Sequence, residues 1–294
     1  MSIDLSAPAR GSSVARAAGQ LTDKRSAGCH DHACVAYSTR AERDRAAVKW
    51  LLEGAAIGQR LLAFTDDDDA GERLSAAFAA ADAGHGRELT HTSLRTLYDL
   101  TAPIDAEAQL AHYRAEVASA RAAGFAGIRV FTDITALTLD SARRPGHVRW
   151  EHVVDAFMAD GHPVAAMCAY DLTATGEDLG AVMAVHPLRH GPSRVPTTFG
   201  MYWRDGHRIL DGEIDQFGIP ALIGALEVLP SEGADLDVSG LSFLSVRASA
   251  VLAGMDPSQR AHRSIRLVNA HPVVERVWSV MNFDPRRLIK RTDS

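Results

Sequence analysis

Apolar residues follow two rhythms along this chain. Short, almost wholly apolar runs alternate with longer stretches that carry an apolar residue every third or fourth position. The first rhythm predicts buried strands and the second predicts amphipathic helices. His32 to Tyr37 reads as a strand. Glu42 to Ala56 reads as a helix with Val48, Leu51, Leu52 and Ala55 on one stripe, ended by Gly58. Arg60 to Phe64 is a strand running into Thr65 and Asp66, and Ala70 to Ala83 is a helix stopped by Gly84. Glu88 to Thr92 is a further short strand. Asp105 to Ala123 is a long helix, with an acidic residue in its first turn and Gly124 beyond its end. Strands follow at Ile128 to Phe131 and Val164 to Tyr170, with helices at His147 to Asp160 and Glu177 to Val185.

Strands that are apolar throughout, alternating with helices, describe a parallel sheet covered on both faces. Residues 26–190 are therefore expected to form one α/β domain. Residues 1–25, rich in Ala, Ser, Gly and Arg without a sustained apolar period, read as a disordered tail. Residues 191–205 contain Pro192 and Pro196 and read as a linker. A second alternation follows over 206–290. Strands at Arg208 to Ile214, Ala234 to Val238 and Ser264 to Val268 are interleaved with helices at Phe217 to Leu229, Val246 to Gly254 and His271 to Met281. This predicts a second, smaller α/β domain.

Composition narrows the function. Hydrophobic residues make up 46% of the 294 positions, enough for packed cores. The formal net charge of -6 argues against binding nucleic acid through general charge, and no apolar run reaches the length of a membrane span. Neither nucleic acid nor membrane is expected as a partner. Three cysteines, Cys29, Cys34 and Cys168, do not make a disulfide framework, so a reducing cytoplasm is the expected location.

Two segments of the second domain resemble the STAS family, which includes anti-anti-sigma factors. They are Asp211-Gly212-Glu213-Ile214-Asp215 and Leu236-Asp237-Val238-Ser239-Gly240-Leu241-Ser242-Phe243-Leu244. The resemblance implies docking of a protein partner such as an anti-sigma factor, here through Ser239, Ser242, Ser245 and Arg247. Regulated members carry Asp-Ser after the second segment, and a partner kinase phosphorylates that serine. Here Ser245 and Val246 occupy those positions, so the usual acceptor is a valine. Ser245 is a phosphorylation candidate shifted by one residue, but helix N-capping is its preferred reading.

The first domain resembles the MEDS family of sensory domains. The resemblance rests on His32-Ala33-Cys34-Val35-Ala36-Tyr37, on Gly127-Ile128-Arg129-Val130 with Asp133-Ile134-Thr135, on Cys168-Ala169-Tyr170-Asp171, and on His186-Pro187. Family members more often carry glutamate at the position of Asp133. The resemblance implies a RecA-like fold used to sense small organic molecules. The residues support a pocket independently, because open α/β sheets bind ligands beyond the carboxyl ends of their strands. Asp66, Asp133 and Asp171 stand at such ends, with Tyr37 at the same level. Period two puts His32 and Cys34 on one strand face, and Cys168 and Tyr170 on one face of theirs. The predicted ligand-binding set is thus His32, Cys34, Tyr37, Asp133, Cys168, Tyr170, Asp171 and His186. The competing reading of Cys34 and Cys168 is as small buried hydrophobes, and that of Asp66 to Asp69 is a solvated turn feeding a helix.

Enzymatic chemistry finds little support. No glycine-rich segment ends in Gly-Lys-Ser or Gly-Lys-Thr, so the phosphate cradle of a nucleotide hydrolase is missing. No histidine is singled out to activate a cysteine nucleophile. His30, His32 and Cys34 offer metal ligands, but one strand cannot wrap a tetrahedral ion, and Cys168 or His186 would have to complete the set. No cofactor and no bound metal are expected. The resulting expectation is a non-enzymatic signalling and transcription-regulatory protein, sensing an unknown small molecule or redox state and relaying it to a protein partner. The alternatives are a RecA-like enzyme or metal-binding protein, and a scaffold that senses nothing.

Overall fold

The computed structural model describes residues 14–21, 28–176, 179–191, 197–259 and 263–290. In chain order the first part comprises β1 (Gly19–Gln20), β2 (His32–Tyr37), α1 (Arg40–Ala56), β3 (Arg60–Thr65), α2 (Asp68–Ala81), β4 (Leu89–Ser93), α3 (Ala106–Ala122), β5 (Ile128–Asp133), α4 (Arg144–Ala159), β6 (Val164–Asp171), α5 (Leu172–Thr175), α6 (Gly180–Ala184) and β7 (Leu188–His190). These strands make a seven-stranded sheet in the order β1-β7-β2-β6-β5-β3-β4, parallel at every pairing. The second part comprises β8 (Phe199–Arg204), β9 (His207–Ile214), α7 (Ile219–Leu226), β10 (Ala234–Asp237), β11 (Leu241–Leu244), α8 (Val246–Leu252), β12 (Ile265–Val268), α9 (Pro272–Val280) and β13 (Leu288–Ile289). Its six-stranded sheet runs β11-β9-β10-β12-β13, with β8 antiparallel on β9. The chain is therefore an α/β domain with a parallel sheet followed by a smaller α/β unit.

Local chemistry explains the helix boundaries. Thr39 begins α1 with a capping box: its side chain accepts from the Glu42 amide, and the Glu42 carboxylate accepts from the Thr39 amide. Asp67 caps α2 from within the acidic run 66–69, and Asp105 caps α3. Helix α4 differs in kind. Ten of its side chains are buried, including Val148, Trp150, Val153, Val154, Phe157 and Met158. A helix buried around its circumference is an interior element, and α4 packs against α3, α6, α7 and β8.

Two expectations about organisation need correction. The tail predicted for 1–25 lies partly outside the described residues, but 14–21 is docked: Gly19 and Gln20 pair with Leu188 and Arg189, and the Arg16 side chain is buried. An arginine whose charge is met by a buried carboxylate escapes the apolar-period test used to read the tail. The linker predicted for 191–205 contains β8, in which Phe199, Met201, Tyr202 and Trp203 are buried. Pro192 and Pro196, on which the linker reading rested, lie outside the described residues. One apolar cluster extends from Cys34 and Cys168 through Val153 and Val182 to Met201, Leu222 and Trp278, so the two sheets share a continuous core. At the seam, a Cβ placed on Gly224 of α7 would come 2.7 Å from that of Ala181 on α6. Among the described residues no helix is long and apolar enough to cross a membrane.

Gly212 on β9 has φ +95°, and a Cβ there would lie 2.2 Å from the Thr198 carbonyl oxygen. Beside it the register of β11 on β9 shifts between Leu241 and Phe243. Gly212→Ala is predicted to cost about 1–3 kcal/mol of stability through this backbone clash, read from the urea midpoint. An unchanged midpoint would refute the close approach.

Candidate functional site

Helix α4 sets His147, Glu151 and Asp155 four residues apart, so they form one stripe along it. All three are buried. On the sheet, β2 and β6 are neighbours, with Cys34 level with Cys168 and Ala36 level with Tyr170. Period two therefore sends His32 and Cys34 from β2, and Cys168 and Tyr170 from β6, toward α4. His186 joins them from the turn between α6 and β7.

These groups converge on the Glu151 carboxylate. Its Oε2 lies 3.2 Å from His32 Nε2, 3.4 Å from His186 Nε2 and 3.5 Å from Cys168 Sγ. Its Oε1 accepts from the Tyr170 hydroxyl at 3.0 Å and lies 3.1 Å from His147 Nε2. Cys168 Sγ is 3.9 Å from His32 Nε2, and the rings of His32 and His186 are 4.2 Å apart between centroids. One turn along α4, Asp155 lies 3.4 Å from His32 Nδ1, pairs with the Arg16 guanidinium, and accepts from the Trp203 amide of β8 at 2.7 Å. Arg16 also donates to the carbonyls of His30 and Trp203.

Burial and charge compete strongly here. Burial by itself would push the Glu151 carboxyl up, but the imidazoles of His147 and His186 outweigh it and hold it well below the usual range. Burial and His32 pull His186 down, while Cys34 and Glu151 prevail and raise it to about 9. Burial opposes protonation of His32, and Asp155 and Glu151 overcome it. Burial, reinforced by Glu151, drives the Cys168 thiol well up. Burial would also raise Asp155, but Arg16 and His32 keep it ionised.

The predicted ligand-binding residues divide into two groups. His32, Cys34, Cys168, Tyr170 and His186 come together in the cluster. Tyr37 on β2, Asp171 on β6 and Asp133 on the neighbouring β5 lie on the other face of the sheet, so the single cavity expected to be walled by both groups is not formed. The Tyr37 hydroxyl donates to Asp133 at 2.8 Å, Arg43 reaches the same carboxylate oxygen at 3.2 Å, and Thr135 occupies the other oxygen. Asp171 caps α5 through the Thr173 amide. This rim is satisfied by its own side chains. Parity along β2 already separates Tyr37 from His32 and Cys34. A groove of about 930 Å³ runs along the outer side of α1, past Ala41, Val48, Leu52 and His190, and none of the eight predicted residues lines it. Asp66 is exposed beside Arg95. Cys29 is half-buried, and His30 turns to the His162 carbonyl, so neither enters the cluster.

Sequence reading missed Glu151, His147, Asp155 and Arg16. A signal for three of them exists: histidine, glutamate and aspartate at four-residue spacing on a helix whose other positions are mostly apolar. In the second unit, Ser245 caps α8 by accepting from the Ala248 amide, matching the preferred capping reading. Ser239 bonds to Asp237, Ser242 to the Gly212 carbonyl, and Arg247 pairs with Asp256. Val246 is 57% exposed beside the half-exposed Phe243.

The polar cluster is enclosed by a parallel α/β domain that shares its apolar core with a second, smaller unit. Residues 31–187 match the family model of the MEDS domain, the MEthanogen/methylotroph, DcmR Sensory domain, and the chain belongs to this family. The match ends before the second unit. No curated protein and no solved structure matched the chain.

Arg16→Ala is predicted to strip Asp155 of its cation and to cost about 3–5 kcal/mol, measured by urea denaturation. A change within about 0.5 kcal/mol would show that the 14–21 segment does not hold the site closed.

Proposed function

We propose that this is a non-enzymatic signalling protein whose MEDS domain senses a small molecule or redox state at the buried cluster and relays it through α4 to a STAS-like output unit. One observation carries the reading. The same helix presents Glu151 to the cluster and, one turn on, Asp155 to the backbone of β8 in the second sheet, 2.7 Å from the Trp203 amide. Any ligand or oxidant that changes the packing around Glu151 bears directly on the seam. Coupling then requires only that the ligand prefer one arrangement of α4.

The output assignment is supported by the placement of the STAS-like segments. Asp211 to Ile214 lies on β9, and Leu236 to Leu244 spans β10, a tight turn and β11, followed by the capped start of α8. Exposed Phe243 and Val246 flank that start and offer an apolar contact for a protein such as an anti-sigma factor. The valine at the usual acceptor position favours control from the sensory domain over control by a kinase. The absence of a phosphate loop in the sequence favours sensing over nucleotide turnover.

The relay is tested by hydrogen exchange on the whole protein. Glu151→Gln is expected to speed exchange in β2 and β6 and also in β8 and at the start of α8. An effect confined to the first domain rejects the relay. The output surface is tested with Val246→Asp, which should leave the thermal midpoint unchanged and weaken binding to a purified anti-sigma factor by at least about tenfold, or about 1.4 kcal/mol. Unchanged binding, or none by the parent protein, rejects that partner class.

A further inference from the structure

We propose that His32 Nε2, His186 Nε2, Cys168 Sγ and Glu151 Oε2 form a tetrahedral site for one divalent cation of the zinc class. This deepens the sensory reading of the same cluster by naming what it holds. The four residues come from β2, the α6–β7 turn, β6 and α4, which supplies the enclosure that a single strand lacks. One ligand atom from each lies within 4.8 Å of the others.

The spacing is the first argument. Zinc bonds of about 2.0 Å to nitrogen or oxygen and about 2.3 Å to sulfur place the neighbouring tetrahedral ligand atoms of a one-sulfur site about 3.3–3.5 Å apart. The edges His32–Glu151, His186–Glu151, Cys168–Glu151 and Cys168–His32 measure 3.2, 3.4, 3.5 and 3.9 Å. The three edges to Glu151 match the tetrahedral spacing, and the Cys168–His32 edge needs to close by only about 0.4 Å.

The second argument concerns tautomers. His186 Nδ1 contacts the Val182 carbonyl at 2.8 Å, which it satisfies by donating its proton. Nε2 is then the nitrogen left to face the cluster, and it offers its lone pair to a metal ion in place of a proton. That Nε2 is fully buried, aims into the cluster and makes no hydrogen bond. A lone pair so placed is what a metal ligand requires, and the bond from the opposite ring nitrogen to a carbonyl is the usual support for such a histidine. His32 turns Nδ1 toward Asp155 at 3.4 Å, an ion-pair contact without hydrogen-bond geometry, and Nε2 toward the cluster. The Glu151 oxygen left over is bonded by Tyr170, which fixes the carboxylate.

The third argument is charge. Glu151 and Asp155 lie in the same apolar layer, whereas Arg16 faces only Asp155. A divalent ion balances Glu151 and a Cys168 thiolate together. The donor set of two imidazoles, a thiolate and a carboxylate suits zinc, with cobalt as its spectroscopic stand-in.

The test uses the full chain, purified, stripped with a chelator and titrated with Co²⁺. The expected result is one cobalt per chain, tetrahedral visible bands and a thiolate-to-cobalt charge-transfer band. Cys168→Ser should lose the charge-transfer band, and Cys29→Ser should keep it. Tyr170→Phe, which keeps all four ligands, should bind about 10–100-fold more weakly, and it carries the test if Cys168→Ser does not fold. A parent protein that binds no cobalt, a charge-transfer band that survives Cys168→Ser, or unweakened binding by Tyr170→Phe overturns the site. Those results would leave the exchange test of the relay standing, since it does not depend on a metal.

Discussion

The structure is organised around one buried carboxylate. Glu151 lies within a layer of Val, Phe, Met and Trp side chains where an isolated ion would cost several kcal/mol to desolvate. It is retained because His32, His147, His186, Tyr170 and Cys168 all turn toward it. That demand constrains distant parts of the chain. Strands β2 and β6 must be neighbours in a fixed register, α4 must present its polar stripe to them, and the turn after α6 must return His186 to the same point. A one-residue slip of β2 against β6 would send His32 and Cys34 to the other face.

The same helix explains why the two units share a core. An interior helix needs cover on every side, and the first sheet covers only one. Helices α3 and α6 cover part of the remainder, and β8 with α7 completes it. The seam also contains His152, fully buried beside the Trp203 ring, over which Arg208 stacks at 4.3 Å. Burial and the Arg208 charge keep that imidazole neutral, pushing it down to about 3. Polar groups recur where α4 meets the second sheet, and such contacts fix geometry more tightly than apolar area alone.

Much of the first domain was legible because its strands are apolar on both faces and its helices are properly capped. Thr39, Asp67 and Asp105 cap these helices, though of the three the sequence pattern marks only Asp105, as an acid in the first turn. Half of the site was legible too, since parity alone puts His32 with Cys34 and Cys168 with Tyr170. What failed was the joining of those residues to Tyr37, Asp133 and Asp171. Position at a strand end was weighed above strand face, although face decides which layer a side chain enters. Glu151 and Asp155 escaped because charged residues on a helix ordinarily mark its solvent side. Only a tertiary partner, Arg16 or a histidine from another element, turns them inward. Strand β8 escaped because its neighbouring prolines resembled a linker, and its burial comes from α4, far away in sequence.

The energetics of the proposed relay follow from these contacts. Coupling between sites commonly amounts to about 1–3 kcal/mol. A hydrogen bond to a charged group contributes about 1.5–3 kcal/mol, and the bond from the Trp203 amide to Asp155 is of that kind. One such bond, made or broken as α4 settles, is therefore enough to bias the second sheet. A small displacement of α4 is not absorbed locally, because close-packed interiors shift between discrete packings and do not deform smoothly. The groups at the two ends of the stripe are linked through His32, which faces Glu151 with one ring nitrogen and Asp155 with the other. Whatever fixes Nε2 of that ring also fixes what Nδ1 offers to Asp155. In the proposed relay, a change at the cluster reaches the seam through one imidazole as well as through the helix that carries both carboxylates.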